Sequence, residues 1–199
     1  RSWNPGMYLE GLIITSNGDQ VITGRDLGGY VLPVLEFWDA STGVLQRSIS
    51  GAVDGVPRHL AASLDSSQLV VASWAEIVVR SLPEGDYLYG GDPYGGVEDL
   101  VYSSDGQSLI IGTTTGTIQV WNATTGALER ILNAHTGRVK SLAPQPGGAL
   151  FASAGEDGLL QIWDTTDWHP VDVIDSFRQY QGLQLSPDGS MLAARDLQS

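Results

Sequence analysis

Short stretches of alternating apolar and polar residues give way, again and again along this chain, to short continuous apolar runs. Residues 9–14, 59–62, 97–102, 139–143 and 180–185 alternate, and each is followed past a polar turn by a more continuous run at 21–23, 69–72, 109–112, 150–154 and 191–194. Alternation with period two marks a half-buried strand, and a short continuous run marks a strand buried on both faces. The turns between them centre on positions 17, 65, 105, 147 and 188, spaced by 48, 40, 42 and 41 residues. They carry Asn, Asp or Gly because a tight hairpin needs positive φ or a side chain that bonds the local backbone. A third strand then ends at Trp38-Asp39, Trp121-Asn122 and Trp163-Asp164. Trp121 and Trp163 lie 42 residues apart, Trp38 and Trp121 lie 83 apart, and Arg80 holds the intermediate position. A further turn at Gly43, Gly85, Gly126 or Trp168 leads to a last strand at 44–49, 86–89, 127–132 and 171–174.

Four strands in about 42 residues, repeated, are the blades of a radial β-repeat. The pattern predicts an all-β fold, a β-propeller of four-stranded antiparallel blades, forming a single domain over 1–199. The blades are expected at about 7–50, 56–91, 97–133 and 139–175, with a partial blade over 180–199. The distance from turn to tryptophan position is 15 or 16 residues in copies two to four but 21 in the first. The surplus, residues 25–33, is expected to project from one face of the disc or to be neutral drift in a surface loop.

The fourth copy carries more than the period. It has Ala134-His135, Val139 four residues after the histidine, Ser153, Asp157-Gly158 and Trp163-Asp164. On those residues the chain resembles the WD-repeat family over essentially its whole length. The resemblance implies that His135, Ser153, Asp157 and Trp163 form a structural hydrogen-bonded tetrad within one blade. The other copies lack a histidine at that place, so the first three blades are expected to depend more on apolar packing than on tetrads. Family propellers usually close with seven blades, which needs roughly 290 residues at this period. The chain is therefore expected to be an incomplete ring, with the remaining blades supplied by the same longer chain or by another copy.

Charge and chemistry narrow the function. Asp and Glu number 23 against 10 Lys and Arg, a formal charge of −13, and no basic cluster appears; this argues against a nucleic-acid surface. No apolar run reaches the ~18 residues that a spanning helix needs, so no membrane insertion is expected. Cysteine is absent, which suits the cytosol without excluding secretion, and the compartment stays open. No metal site or cofactor is expected, because the three histidines are scattered and the glycine pairs lack a phosphate-loop ending. His135, Ser153 and Asp157 have the residue types of a hydrolase triad, but there is no nucleophile elbow, and their spacing with Trp163 is that of the tetrad. Asn122-Ala123-Thr124 is formally a glycosylation sequon, yet Asn122 stands where a Trp-Asp pair has its turn aspartate.

One segment invites a binding role. Residues 86–99 combine three tyrosines, four glycines and several carboxylates. They could form a recognition patch, since tyrosine offers large, rigid contact area, or a glycine-rich connector whose tyrosines pack between blades. In the family, loops joining successive blades share a face with those between second and third strands. The candidate partner-binding residues are accordingly Arg25, Asp26, Tyr30, Tyr89, Asp92, Tyr94 and Glu98. The expected function is a non-catalytic protein-interaction scaffold or recognition module, with a protein partner that the acidic charge biases towards basic surfaces. The alternatives are the sensor or regulatory part of an enzyme, or a structural subunit of a filament or coat.

Overall fold

A computed structural model describes residues 8–26, 32–175 and 178–196. The described residues are strands and turns. The first sheet contains β1 (Tyr8–Ile14), β2 (Gln20–Asp26), β3 (Val34–Asp39) and β4 (Leu45–Ser50). The second contains β5 (His59–Ala62), β6 (Gln68–Ala72), β7 (Ile77–Ser81) and β8 (Tyr87–Gly91), and the third β9 (Val97–Tyr102), β10 (Ser108–Thr113), β11 (Thr117–Asn122) and β12 (Leu128–Asn133). The fourth contains β13 (Val139–Pro144), β14 (Leu150–Gly155), β15 (Leu159–Asp164) and β16 (Pro170–Asp175). Strands β17 (Tyr180–Leu185) and β18 (Leu192–Asp196) pair as two. Every sheet is an antiparallel meander in chain order, the blade topology that the repeat predicts.

The chain forms two compact units, 1–92 with the first two blades and 93–199 with the rest. In each, the core lies between sheets. In the first unit Ile22, Leu35 and Phe37 of one blade cluster with Leu69, Val71 and Val78 of the next, sealed by Ala52 and Val53 of the connector. In the second unit Ile110 and Ile118 meet Val139, Leu142, Phe151 and Trp163. Ala143, Ala152, Ala154 and Leu160 meet Leu183 and Leu185 of β17.

The tryptophan position has a geometric mark. In all four complete blades the pairing of third and fourth strands slips by one residue there: at Phe37/Trp38, Val79/Arg80, Val120/Trp121 and Ile162/Trp163. Such a bulge bends the strand and adds twist. Arg80 is thus the structural equivalent of the tryptophans.

The polar turns explain much of the acidity. Between first and second strands, Ser63, Ser103 and Ser186 each donate an Oγ hydrogen bond to Asp65, Asp105 and Asp188 Oδ1, at 2.6 Å in all three. Thr15 and Asn17 make the same contact at 2.7 Å. Between third and fourth strands, Asp39 accepts the Thr42 N–H at 2.8 Å and Asp164 accepts the Thr166 N–H at 2.7 Å. Asn122 accepts the Thr124 and Thr125 N–H groups at 3.0 and 2.9 Å, so its amide oxygen does the turn work of an aspartate. Five carboxylates of the −13 balance are turn caps repeated by the blade period.

Trp168 stands where the other blades have glycine and carries a φ of 64°. Its ring packs on Phe151 at 5.9 Å, and Phe151 stacks on Trp163 at 5.8 Å and 12°. The aromatic contact offsets the strain that a side chain suffers in the left-handed region. Trp168→Gly should therefore be more stable than Trp168→Ala by about 1 kcal/mol, because both lose the ring and only alanine keeps the strain. Phe151→Ala, which opens a cavity in a fully buried site, should cost about 3–5 kcal/mol. Urea unfolding of the three variants checks both orderings.

Candidate interaction surface

Each blade must satisfy the polar group at its tryptophan position, and each does so differently. In the fourth blade Trp163 Nε1–H donates to Ser153 Oγ at 3.0 Å, Ser153 Oγ lies 2.8 Å from His135 Nε2, and His135 Nδ1 lies 3.0 Å from Asp157 Oδ1. One donation order satisfies every group: indole to serine, serine hydroxyl to Nε2, and Nδ1–H to carboxylate, with the imidazole neutral. Asp157 also accepts the Thr136 and Leu159 N–H groups at 2.9 and 3.1 Å. Burial pushes the His135 pKa down, against the pull of Asp157. Burial also opposes ionisation of Asp157, but its hydrogen bonds outweigh that and hold its pKa below the usual range. Ser153 is fully buried with its Oγ engaged on both sides. These bonds tie together the first-strand approach, second strand and third strand of the fourth blade, with the serine hydroxyl buried among them.

The first three blades form no such tetrad, and other polar contacts stand at their tryptophan positions. Trp38 Nε1–H donates to Thr23 at 3.1 Å, the register equivalent of Ser153, and Thr23 reaches Glu36 at 3.4 Å. Trp121 Nε1–H donates to Gln119 Oε1 at 3.1 Å, and Gln119 Nε2 donates to the Tyr94 carbonyl at 2.8 Å. Arg80 donates to the Ala52 carbonyl through Nε and Nη2, at 3.3 and 2.9 Å, and to the Gly85 carbonyl at 3.0 Å. Gln161 donates to the Ala134 carbonyl. Ala52, Tyr94 and Ala134 all belong to connectors that enter a blade. A third-strand side chain thus ties each connector down, and Arg80 substitutes for both the indole and the glutamine.

The candidate binding residues divide between the two units. Arg25 and Asp26 are the last residues of β2 and so lie in strand rather than in the projecting loop. Arg25 pairs with Glu36 at 3.2 Å, largely shielded from solvent. Tyr30 lies outside the described residues. Tyr89 is half-buried in β8, where burial pushes its phenol up to about 12. Asp92 is exposed and ends the first unit.

Tyr94 differs from the rest: its residue surface is 85% exposed, while its backbone is fixed. Its carbonyl takes the Gln119 bond, and Thr114 N–H bonds the Gly95 and Gly96 carbonyls, each at 3.1 Å. A side chain at Gly95, where φ is 92°, would collide with Thr115. Gly95 therefore lets the connector lie flat against the β10–β11 loop.

Glu98 is committed inside the second unit. Its carboxylate accepts from Arg138 at 2.9 Å and from Lys140 at 2.8 Å. Burial acts against its ionisation, but these two cations prevail and hold its pKa low. Beside it, Asp99 accepts the Leu142 N–H at 2.7 Å and the Leu100 N–H at 2.8 Å, and Ser141 accepts the Leu183 N–H at 3.0 Å. First strands are sheet edges with outward N–H groups, and the preceding blade's side chain closes these two. Desolvation of Asp99 outweighs its hydrogen bonds and raises its pKa to about 6. Among the described residues no group of three His, Asp or Glu is placed to hold a metal ion, and no helix is long and apolar enough to cross a membrane.

Successive antiparallel blades, tied connectors and the buried tetrad define a β-repeat protein. Residues 89–122 and 126–164 match the family model described as WD domain, G-beta repeat, and the chain is a WD-repeat protein. It is 31% identical to methylosome protein WDR77 of Xenopus laevis over 139 residues, covering 69% of this chain and 36% of that protein. It is 30% identical to small ribosomal subunit protein RACK1y of Oryza sativa over 58% of this chain and 37% of that protein. It is 28% identical to nuclear distribution protein PAC1 of Arthroderma otae over 72% of this chain and 34% of that protein. The matched part thus spans about a third of each relative's length.

Two desolvated groups should respond to pH in opposite directions. His135 has a depressed pKa, so its contribution is present above the unfolded value of 6.5 and is lost as pH falls through the folded one. Asp99 has a raised pKa, so its contribution is present below 3.8 and is lost as pH rises through about 6. The stability advantage of wild type over His135→Gln should shrink as pH falls from 7.5 to 5. That of wild type over Asp99→Asn should grow between pH 7 and 4. Urea midpoints measured across this range check both signs.

Proposed function

We propose that the chain is a non-catalytic protein-recognition module whose partner docks on the connector entering the third blade. The observation that carries this reading is Tyr94, an aromatic ring left in solvent on a backbone pinned by Gln119 and Thr114. A pre-ordered ring has little entropy to lose on binding, and exposed tyrosine is a common interface anchor. Asp92, exposed two residues earlier, adds a carboxylate. Arg25, Asp26, Tyr30 and Tyr89 belong to the first unit and are further candidate contacts for the partner. Glu98 is read as a brace, because Arg138 and Lys140 already occupy its carboxylate. Two relatives are named for assemblies, the methylosome and the small ribosomal subunit, which supports a role in holding proteins together.

A photo-crosslinking amino acid at position 94 should capture a discrete partner from extract of the source cells. Tyr94→Ala, with an unchanged circular dichroism spectrum, should weaken capture of that partner at least ~10-fold, the range of an aromatic interface anchor. Asp92→Lys should weaken it less. Capture that is equal for wild type and Tyr94→Ala would remove the connector from the interface.

A further inference from the structure

We propose that the tip of the β6–β7 hairpin, Trp74 with Glu76 and Asp54 beside it, binds a lysine or arginine side chain in an extended segment of a protein partner. The proposal rests on the recognition-module reading and supplies the chemistry of the partner. The hairpin turns in two residues, Trp74 and Ala75, closed by a 2.9 Å bond from Ser73 N–H to the Glu76 carbonyl. Ser73 Oγ accepts the Ala75 and Glu76 N–H groups at 3.4 and 3.2 Å, so the tip is held without help from the indole. Tight tips ordinarily call for Gly, Asn or Asp, and tryptophan offers nothing that such a turn requires. The corresponding turns of the third and fourth blades are Thr114-Thr115-Gly116 and Glu156-Asp157-Gly158. Trp74 is also 48% exposed and takes no part in the blade core. Neither local folding nor packing accounts for it.

Its surroundings point to a cation. Glu76 Oε2 accepts the Asp54 N–H at 2.6 Å, which draws the connector alongside the hairpin, and a side chain at Gly55 would touch Ser73. Glu76, half-buried, thus stands two residues after the indole, and the exposed Asp54 is held beside it through its backbone N–H. Arg58, whose N–H pairs with the Ala72 carbonyl at the base of the hairpin, is exposed on the same connector. Together with Arg80, whose charge reaches Glu76, it offsets part of the negative charge of the two carboxylates, so the indole face is the primary contact for a cation. An indole face attracts a cation, and a neighbouring carboxylate adds a charge-assisted bond.

The test follows the six indole N–H signals of the 15N-labelled full chain by NMR, with the Trp74 signal assigned by Trp74→Phe. The probes are blocked Gly-Ser-Xaa-Ser-Gly peptides with Xaa as Arg, Lys or Glu. The Arg and Lys peptides should shift the Trp74 signal saturably at about millimolar to ten-millimolar concentration, as expected of a cation–π contact joined by one charge-assisted bond, and the Glu peptide should not. Glu76→Gln should weaken that affinity at least about threefold, and added salt should act in the same direction. A Trp74 signal that ignores the cationic peptides, or answers all three equally, overturns the proposal. If crosslinking at position 94 still captures its partner in that case, the recognition-module reading survives; if both fail, it falls too.

Discussion

No blade of this protein can bury its own hydrophobic surface. Strands β6, β10 and β14 are buried along nearly their whole length, through residues that point alternately to both faces of a four-stranded sheet. Such a strand needs a neighbouring sheet to cover it, and the clusters observed within each unit lie between successive sheets. At ~25 cal/mol per Å² of apolar surface this stacking is the main favourable term. It is non-directional, however, and would tolerate sheets sliding across each other.

Polar contacts supply the direction that the apolar faces lack. A third-strand side chain holds the incoming connector at Ala52, Tyr94 and Ala134, which fixes where the next sheet starts. Asp99 and Ser141 then close the edge N–H groups of Leu142 and Leu183 from the adjoining first strand. The tetrad of the fourth blade is one solution to a requirement that every complete blade meets. Arg80 is an instructive alternative, since one guanidinium spans to both the connector and the following turn.

The same economy bears on recognition. Asp39, Asp65, Asp105, Asp164 and Asp188 hold turns, so net charge overstates how much of the surface is available to attract a basic partner. The residues set apart from architecture are few. Tyr94 and Trp74 are aromatic, substantially exposed and carried on backbone fixed by other groups. Trp74 was legible as an anomaly only once its turn was seen to be a two-residue tip. In the sequence it reads as one more apolar residue after a buried strand.

Period, blade topology, turn positions and the equivalence of Arg80 to tryptophan were all written in the linear pattern, because strand alternation and turn chemistry are local properties. The resemblance to WD repeats pointed to His135, Ser153, Asp157 and Trp163, the four residues that hydrogen-bond in the fourth blade. The roles of Glu98 and Asp99 were not. A carboxylate looks alike in sequence whether it faces solvent or accepts Lys140 from the next blade, 42 residues away. Likewise the three tyrosines of residues 86–99 shared one composition, and burial separated the half-buried Tyr89 from the exposed Tyr94. The sequence determined which strands exist and in what order. Only tertiary packing decided which polar groups those strands consume and which they leave for a partner, because desolvation depends on neighbours that are distant along the chain.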